Sequence, residues 1–248
     1  MISVCLATHD GAKYVESQVR SILDQLEADD EIVVSDDGSS DNTVQILESL
    51  GDSRIRLFHF THSGYRLPAV RRITKNFENA LTHAKGDVIF LSDQDDVWLP
   101  DKVKTTMRYM RHYDYVSSDC YIVDDKLNIL SETRYTKAAR IARNRFLALV
   151  RPTPYQGSCA AFSRRVLDKA LPIGEYIQSH DRWIGMVATF FFSCRFISDK
   201  LILYRRHEAN SSTSSTGKSV NSLMEKVRWR LGYILGLVLV MLRGRGKA

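Results

Sequence analysis

The sequence has 248 residues, of which 44% are hydrophobic and 26% charged, the make-up of a globular protein with one large or two small domains. The formal net charge of +6 comes from the C-terminal segment, because seven of the 35 Lys and Arg and one of the 29 Asp and Glu lie after residue 217, leaving 28 of each sign before it. A neutral body argues against nucleic-acid binding, and four widely spaced cysteines without a CxxC pair argue against a zinc site or a redox motif.

The first 112 residues alternate between short apolar runs and amphipathic segments. The apolar runs predict strands at residues 2–7, 31–35, 54–60 and 87–91, and helical periodicity predicts helices at residues 12–26 and 44–50, around residues 73–84, and again from Pro100. This order is typical of an α/β fold with a Rossmann-like, doubly wound and mostly parallel central sheet that carries helices on both faces.

Three polar turns follow the ends of predicted strands, at Thr8 to Asp10, at Asp36-Asp37 and at Asp93 to Asp95. Because the carboxyl ends of parallel strands meet at one edge of a sheet, we expect these turns to lie together, which favours a nucleotide-binding crevice over three separate helix caps. The third turn carries Asp93, Asp95 and Asp96, whose charges repel one another. A divalent cation with oxygen ligands would relieve that repulsion; the alternative is a helix-capping turn with solvated charges.

The alternation is looser after residue 112. The pattern predicts a strand at 113–123, a basic helix at 138–150 with Arg140, Arg143 and Arg145, and a Gly-marked strand at 155–162. It then predicts an apolar helix from near Arg182 to about Phe192 and short strands at 194–198 and 201–205. The composition of residues 208–219 predicts a flexible Ser-rich linker. The four cysteines are expected in the core.

The chain from Leu231 to Leu242 is uncharged and mostly apolar, and it is flanked by Arg228, Arg230, Arg243 and Arg245. A membrane-spanning helix needs about 20 apolar residues, so we expect this amphipathic or hydrophobic helix to lie on a membrane surface, where basic residues favour an anionic leaflet by roughly 1 kcal/mol each. The alternative is that it packs on the protein's own core or on a second subunit. The N-terminus shows no secretory signal, so we expect a cytoplasmic protein, peripheral on the inner face of the cell membrane.

The polar motifs, taken together, resemble those of family 2 glycosyltransferases. They are Ala7-Thr8-His9-Asp10-Gly11, the run from Val33 to Thr43, Asn76, the run from Phe90 to Trp98, and His180-Asp181. They occur in the family's order over about residues 1–210, and the DQDDxW wording resembles bacterial enzymes that build surface polysaccharides, including many rhamnosyltransferases. His9 stands where Tyr is common and His180 where Glu is usual. The QxxRW motif of processive synthases is missing, which argues for the addition of one sugar per encounter.

The resemblance implies a GT-A fold, a UDP- or dTDP-sugar donor, a divalent metal (Mg²⁺ or Mn²⁺), inversion at the anomeric carbon and a lipid-linked oligosaccharide as acceptor. It also implies a division into a nucleotide-sugar-binding half at residues 1–112 and an acceptor-binding and catalytic-base half of the same domain at residues 113–210. Composition adds a linker with a membrane-associating helix at residues 211–248.

The family pattern assigns roles to individual residues. Asp181 matches the general base, and Asp95, Asp93 and His207 match residues at the metal, with Asp95 as the direct ligand and Asp93 nearer the ribose. The residues expected to bind the nucleotide-sugar are Thr8, His9, Asp36, Asp37, Arg72, Lys75, Asp93 and Gln94. The residues expected to line the donor or acceptor pocket are Trp98, Gln156, Gly157, Ser158, His180 and Arg182.

Breaking a glycosyl-diphosphate bond builds positive charge on the sugar and negative charge on the leaving phosphate, and a base must take a proton from the acceptor hydroxyl. The predicted residues meet those needs. A sugar-1-phosphate nucleotidyltransferase is a second reading, but it would open with a Gly-rich phosphate loop, whereas the turn from Thr8 to Lys13 holds a single glycine. A catalytically silent nucleotide-sugar-binding protein, in which Asp181 only caps a helix, is the third.

Overall fold

The structure, a computed structural model, describes residues 1–60, 68–135, 145–150, 155–207 and 222–245. The predicted linker at 208–219 lies outside these residues, as do Arg140 and Arg143 of the predicted basic helix.

The first half of the chain forms four parallel strands in the spatial order β3-β2-β1-β4. The strands are β1 (Ile2–Thr8), β2 (Glu31–Asp36), β3 (Ile55–His59) and β4 (Val88–Asp93), and they are connected by α1 (Val15–Leu23), α2 (Thr43–Ser49) and α3 (Ala69–His83). Their unbroken apolar runs are explained by burial on both faces of the sheet, since Val4 and Leu6 enter one core cluster while Cys5 enters the other.

The sheet continues through the second half of the chain in the order β4-β8-β6-β9-β5, with β7 paired to β6. These strands are β5 (Val97–Trp98), β6 (Tyr115–Val123), β7 (Ile129–Ser131), β8 (Ala160–Ser163) and β9 (Cys194–Arg205). The β8 strand is antiparallel to both β4 and β6, and β6 is parallel to β9, so β6 and β9 run in the same direction as β1 to β4. The carboxyl ends of six strands therefore share one edge with the start of β8.

Helices cover both faces of the sheet, as predicted. The remaining helices are α4 (Lys102–Met110), α5 (Leu147–Val150), α6 (Arg164–Ala170), α7 (His180–Phe191) and α8 (Leu223–Arg245). Residues of α3, α6, α7 and α8 share one hydrophobic cluster with Phe162, whereas residues of α1, α2 and α4 share a second cluster with Phe90. Three of the four free cysteines are buried and Cys194 is half-buried, which agrees with the prediction of core cysteines.

Several predicted boundaries are wrong for local reasons. The Gly-marked strand begins only at Ala160, because residues Gly157–Cys159 form a 3₁₀ turn in which Cys159 N–H donates to the Gln156 carbonyl at 3.1 Å. Helix α4 begins at Lys102 rather than at Pro100, after Asp101 in a left-handed conformation with φ of 64°. The two short strands after Cys194 are one strand, and α7 begins at His180, two residues earlier than predicted.

The apolar C-terminal segment lies inside α8, and its two sides differ. Tyr233, Leu237 and Val240 are each 4% exposed and belong to the cluster formed with α7. On the opposite side, Leu231, Leu235, Val238 and Leu242 are 46–60% exposed. One side of α8 therefore packs on the protein's own core, which was the alternative to a membrane-associated helix. The other side is apolar and exposed. Among the described residues, no helix has the length and apolarity needed to cross a membrane.

Candidate active site

Most of the predicted site residues come from the edge of the sheet where β1, β2, β4 and β9 end and where β8 begins, and the others come from α3, α7 and β5. The three polar turns meet there, as the sequence predicted. The antiparallel β8 adds a fourth segment, because its first residues, rather than its last, reach this edge. Ligands of open α/β sheets bind at this edge, outside the carboxyl ends of the strands.

The first two turns are joined through Asp36, which is 1% exposed. Its Oδ1 accepts a hydrogen bond from Thr8 Oγ1 at 2.9 Å, and its Oδ2 accepts one from the backbone N–H of Ser39 at 2.9 Å. Asn76 of α3 donates to the Thr8 carbonyl at 3.0 Å and so fixes the end of β1 from the helix side. The turn that holds the predicted nucleotide-binding carboxylate is therefore rigidly hydrogen-bonded.

Beside this turn, hydrogen bonds and an ion pair connect four more of the predicted nucleotide-sugar-binding residues, which are His9, Asp37, Arg72 and Gln94. His9 Nδ1 lies 2.8 Å from the Asp37 carbonyl, and Arg72 Nε lies 2.9 Å from Asp37 Oδ2. Gln94 Oε1 accepts from His9 N–H at 2.8 Å while Gln94 Nε2 donates to the His9 carbonyl at 3.0 Å. The Gln94 amide thus clamps the acidic turn to the turn after β1, a structural role that the sequence did not indicate.

Two predicted site residues are engaged elsewhere. Lys75 forms ion pairs with Glu78 at 2.9 Å and with Glu175 at 2.8 Å, the latter in the loop before α7. Trp98 is 3% exposed, and its ring packs in the core at 5.5 Å from the Phe90 ring. The pairing of β5 with β9 turns this ring inward, so the structure does not bring Trp98 to the acidic turn.

The acidic turn itself brings Asp95 and His207 together, with 2.9 Å between Asp95 Oδ2 and His207 Nε2. Asp93 Oδ2 accepts a hydrogen bond from Ser158 Oγ at 2.8 Å. Burial and, next, the charge of Asp95 raise the pKa of Asp93 to about 7, against the lowering effect of the Ser158 donor. A cation placed beside these carboxylates would favour their ionised form.

Sequence reasoning missed the residues that hold His207 at Asp95. Asp96 is fully buried, and its Oδ1 accepts from the backbone N–H of Arg205 at 3.0 Å. Arg205 Nε in turn donates to the Asp95 carbonyl at 2.7 Å, and the Tyr14 ring stacks on His207 at 4.9 Å between centroids. The doubled Asp95-Asp96 and Arg205, two residues before His207, were visible in the sequence, but their pairing across some 110 residues was not.

Asp181 lies in the first turn of α7, where its Oδ1 accepts from Ser179 Oγ and from the backbone N–H of Arg182, the latter at 2.6 Å. A Cβ added to Gly157 would lie 3.7 Å from Asp181 Cβ, so the start of α7 rests on the residue before Ser158. Ser158 is the residue that donates to Asp93, and the Asp181 charge contributes to the raised pKa of Asp93. The predicted base and the acidic turn are thus neighbours across one short turn.

The other predicted pocket residues surround this contact. The His180 ring is buried, with its centroid 3.9 Å from that of Phe77, and burial lowers the pKa of His180 to about 4, so the imidazole is neutral at physiological pH. Its Nε2 has no hydrogen-bond partner within the described segments. Gln156 begins the 3₁₀ turn, and the Arg182 guanidinium lies over the Tyr233 ring of α8 at 5.4 Å.

The donor set fits a hard divalent cation with some coordination left for substrate. Over the described ranges no group of three or more His, Cys, Asp and Glu side chains is arranged to hold a metal by itself. The paired Asp95 and His207, with Asp93 nearby, supply carboxylate oxygens and one imidazole nitrogen. Mg²⁺ at phosphate-transfer sites is typically held by one or two carboxylates, substrate phosphates and water, which matches such a partial protein set.

The model of the protein family "Glycosyl transferase family 2" matches residues 3–171. The chain belongs to this family. The matched range contains the three polar turns, of which the acidic turn is the third, and the 3₁₀ turn at Gly157–Cys159. The chain is therefore a glycosyltransferase by family, as the sequence motifs predicted.

Curated relatives carry related names. An uncharacterized glycosyltransferase of Nostoc sp. is 25% identical over 228 residues, which is 86% of this chain and 67% of that protein. The dTDP-rhamnosyl transferase RfbG of Shigella flexneri is 34% identical over 108 residues, 41% of this chain and 35% of that protein. The GalNAc(5)-diNAcBac-PP-undecaprenol beta-1,3-glucosyltransferase of Campylobacter jejuni is 30% identical over 122 residues, 49% of this chain and 38% of that protein. The match spans well under half of the last two proteins.

Two solved structures share the fold. S. aureus TarS 1–349 in complex with UDP-GlcNAc has a TM-score of 0.67 at 20% identity, covering 94% of this chain and 66% of that one. Glucosyl-3-phosphoglycerate synthase from Mycobacterium tuberculosis, in complex with Mn²⁺, UDP and glucosyl-3-phosphoglycerate, has a TM-score of 0.58 at 18% identity, covering 94% and 80%. The predicted GT-A fold is thereby confirmed, and α8 is its C-terminal helix in this chain.

Proposed function

We propose that this family 2 enzyme is an inverting, divalent-metal-dependent glycosyltransferase that moves a sugar from a UDP- or dTDP-sugar to the hydroxyl of a lipid-linked oligosaccharide. The observation that carries the proposal is the contact chain from Asp93 through Ser158 and Gly157 to Asp181. It sets a carboxylate able to act as a base beside the carboxylates suited to a diphosphate-bound cation. The names of the Shigella and Campylobacter relatives support the donor type and the lipid-linked acceptor.

On the donor side, the rigid turn around Asp36 would accept a hydrogen bond from the base of the nucleotide, and Arg72 would bring positive charge toward the phosphates. Asp95, His207 and Asp93 would hold a divalent cation, which when bound neutralises charge on the leaving diphosphate. The Mn²⁺ in the mycobacterial synthase structure supports this assignment. Arg205 and Tyr14 would keep His207 in place for that task.

On the acceptor side, Asp181 would take the proton from the attacking hydroxyl, on the face of the sugar opposite the diphosphate. Because Asp181 Oδ1 already accepts two hydrogen bonds, Oδ2 is the oxygen we assign to the acceptor. The neutral His180 adds no positive charge that would weaken this base. A single displacement by a base-activated hydroxyl inverts the anomeric carbon.

The exposed side of α8 supports attachment to a membrane surface. Leu231, Leu235, Val238 and Leu242 form an apolar stripe, and Arg228 and Arg243 are exposed at its two ends. An interfacial helix of this kind binds through buried apolar area together with the attraction between basic side chains and anionic lipids. The enzyme would then meet a lipid-linked acceptor at the cytoplasmic face of the membrane.

A donor panel tests the catalytic part. Purified protein is incubated with UDP-, GDP- and dTDP-sugars and with lipid-linked acceptors, with Mg²⁺, with Mn²⁺ or with EDTA, and nucleotide release is measured. We expect metal-dependent release of UDP or dTDP, and Asp95→Asn should weaken metal-dependent donor binding about tenfold or more while Asp199→Asn, an exposed control on β9, should not. Release of pyrophosphate from a nucleoside triphosphate would instead indicate a nucleotidyltransferase, and saturable donor binding without turnover would indicate a silent binding protein.

The membrane part needs a test that leaves the inner side of α8 in place. The variant Leu231→Ser/Leu235→Ser/Leu242→Ser changes only the exposed stripe, and Ile129→Ser/Leu130→Ser makes a similar change on the exposed β7. We expect the α8 variant to lose co-sedimentation with phosphatidylglycerol vesicles and the β7 variant to keep it. Equal binding of both variants, or equal binding to neutral phosphatidylcholine vesicles, would contradict attachment through this stripe.

A further inference from the structure

The inner side of α8 makes unusually close contact with the segment that leads into α7. A Cβ added at Gly232 would lie 2.7 Å from the Tyr176 carbonyl oxygen, and one added at Gly236 would lie 2.7 Å from Trp183 Cζ3. Both glycines are therefore needed for the helix to approach this closely. Trp183 is itself fixed, since its Nε1 donates to the Ala170 carbonyl at 2.8 Å. The end of the chain is thus built into the catalytic half of the fold.

Tyr233, which follows the first of these glycines, contacts Arg182, the residue after Asp181. It is 4% exposed, and its ring lies under the Arg182 guanidinium at 5.4 Å. Burial raises the pKa of the Tyr233 hydroxyl well above its usual range, and the Arg182 charge and the donor groups of Ser179 oppose that rise. The Arg182 guanidinium is thus held against the ring of a buried residue of α8.

Ser179 and Arg182 are also the residues that hold the Asp181 carboxylate. Ser179 Oγ and the backbone N–H of Arg182 both donate to Asp181 Oδ1. Helix α3 supplies a second support, because its Arg71 donates hydrogen bonds to the carbonyls of Gly174 and Ile177 and so anchors the loop before α7. The first turn of α7 is consequently held between α3 and Tyr233 of α8.

We propose that Tyr233 is a positioning residue for catalysis, which orients the Asp181 carboxylate by fixing Arg182. The inference rests on the proposed role of Asp181 as the base. A base must lie within hydrogen-bond reach of the proton that it takes, and a displacement of about 1 Å can lower turnover about a hundredfold. The donor side is built from the ends of β1, β2 and β4, so the role of Tyr233 concerns turnover and not donor binding. It also makes α8 a link between the proposed membrane surface and the proposed base.

The test compares Tyr233→Leu, Tyr233→Phe and the control Leu237→Ala in the full-length protein. Leu237 has the same 4% exposure on the same side of α8, one turn further along. For Tyr233→Leu we expect kcat to fall about tenfold or more, with the KM for the donor within about twofold of the wild type. Tyr233→Phe keeps the ring under Arg182 and should recover most of kcat, while Leu237→Ala should lower the melting temperature at least as much and keep kcat near that of the wild type.

The inference is overturned if Tyr233→Leu has wild-type kcat, if Leu237→Ala loses kcat in the same proportion as Tyr233→Leu, or if donor KM rises with no change in kcat. Asp181→Asn is measured in the same series to separate the two proposals. An inactive Asp181→Asn together with a fully active Tyr233→Leu removes only the positioning role. Normal turnover of Asp181→Asn removes the assignment of the base and, with it, this inference.

Discussion

The close approach of α8 predicts the outcome of Gly232→Ala, a substitution that helix propensity alone would favour. Alanine in the middle of an exposed helix is more stable than glycine by about 0.5–1 kcal/mol. Here the new Cβ would lie 2.7 Å from the Tyr176 carbonyl oxygen, a backbone atom that no side-chain rotation can move away. Overpacking of this kind costs about 1–3 kcal/mol. We therefore expect net destabilisation of about 1–2 kcal/mol.

For a chain of this size, that loss corresponds to a fall in melting temperature of roughly 2–8 °C, measurable by scanning calorimetry. Leu231→Ala is the matched control, since Leu231 is the adjacent residue and is 60% exposed; its melting temperature should stay close to that of the wild type. If Gly232→Ala melts at or above the wild-type temperature, the helix does not sit against the loop at Tyr176 and the account of α8 is wrong.

Three further changes test the site and its surroundings. Ser158→Ala removes the hydrogen bond that Ser158 Oγ donates to Asp93, and a hydrogen bond to a charged group is worth about 1.5–3 kcal/mol. Calorimetric titration with the nucleotide-sugar and Mg²⁺ should therefore show at least about tenfold weaker binding, and an unchanged affinity would place Asp93 outside the nucleotide-sugar site. Tyr14→Leu removes the ring stacked on His207, and the metal concentration for half-maximal activity should rise several-fold, whereas an unaltered metal requirement would remove His207 from the metal site. Burial lowers the pKa of Lys102 to about 8, so the charged ammonium lowers stability below pH 8, and this loss disappears as the pH rises toward 10.5. Relative to Lys102→Met, the free energy of unfolding of the wild type in urea should therefore rise by up to about 3 kcal/mol between pH 7 and pH 10. Parallel pH profiles of the two proteins would refute this prediction.

The sequence predicted the first half of the fold well, because the determining signals there are local. The apolar runs of β1, β2 and β4 are buried on both faces, and the polar turns follow directly at the strand ends. Once the sheet is parallel, the meeting of Asp36 and Asp93 at one edge follows from geometry. Boundary errors there were small, such as the shorter α1.

The second half was harder to predict because its structure depends on long-range pairing. The two-residue β5 exists only through its pairing with β9, and that pairing turns Trp98 into the core. The antiparallel insertion of β8 has no local signal, yet it brings Gly157 and Ser158 to the site. Within the first half as well, the role of Gln94 as a clamp on the His9 backbone depends on a contact across 85 residues, which has no local signal.

The apolar composition of α8 is compatible with two environments, a membrane surface and the protein's own core. The apolar run from Leu231 to Leu242 suggested a membrane helix, and the alternative was packing on the core. The structure supports core packing through Tyr233 and Leu237 and leaves a second apolar stripe exposed. Hydrophobic content alone could not separate these sides, because both are rich in Leu and Val.

The most direct test of the central claim is the turnover and donor affinity of Asp181→Asn. Asparagine keeps the oxygen that accepts from the Arg182 N–H, so the first turn of α7 should remain intact. The proposed mechanism predicts a donor Kd within about threefold of the wild type and a fall in kcat of about 10²–10⁴, the usual contribution of a general base, with Asp199→Asn unaffected. Wild-type turnover by Asp181→Asn, with the expected metal-dependent donor binding, would contradict it.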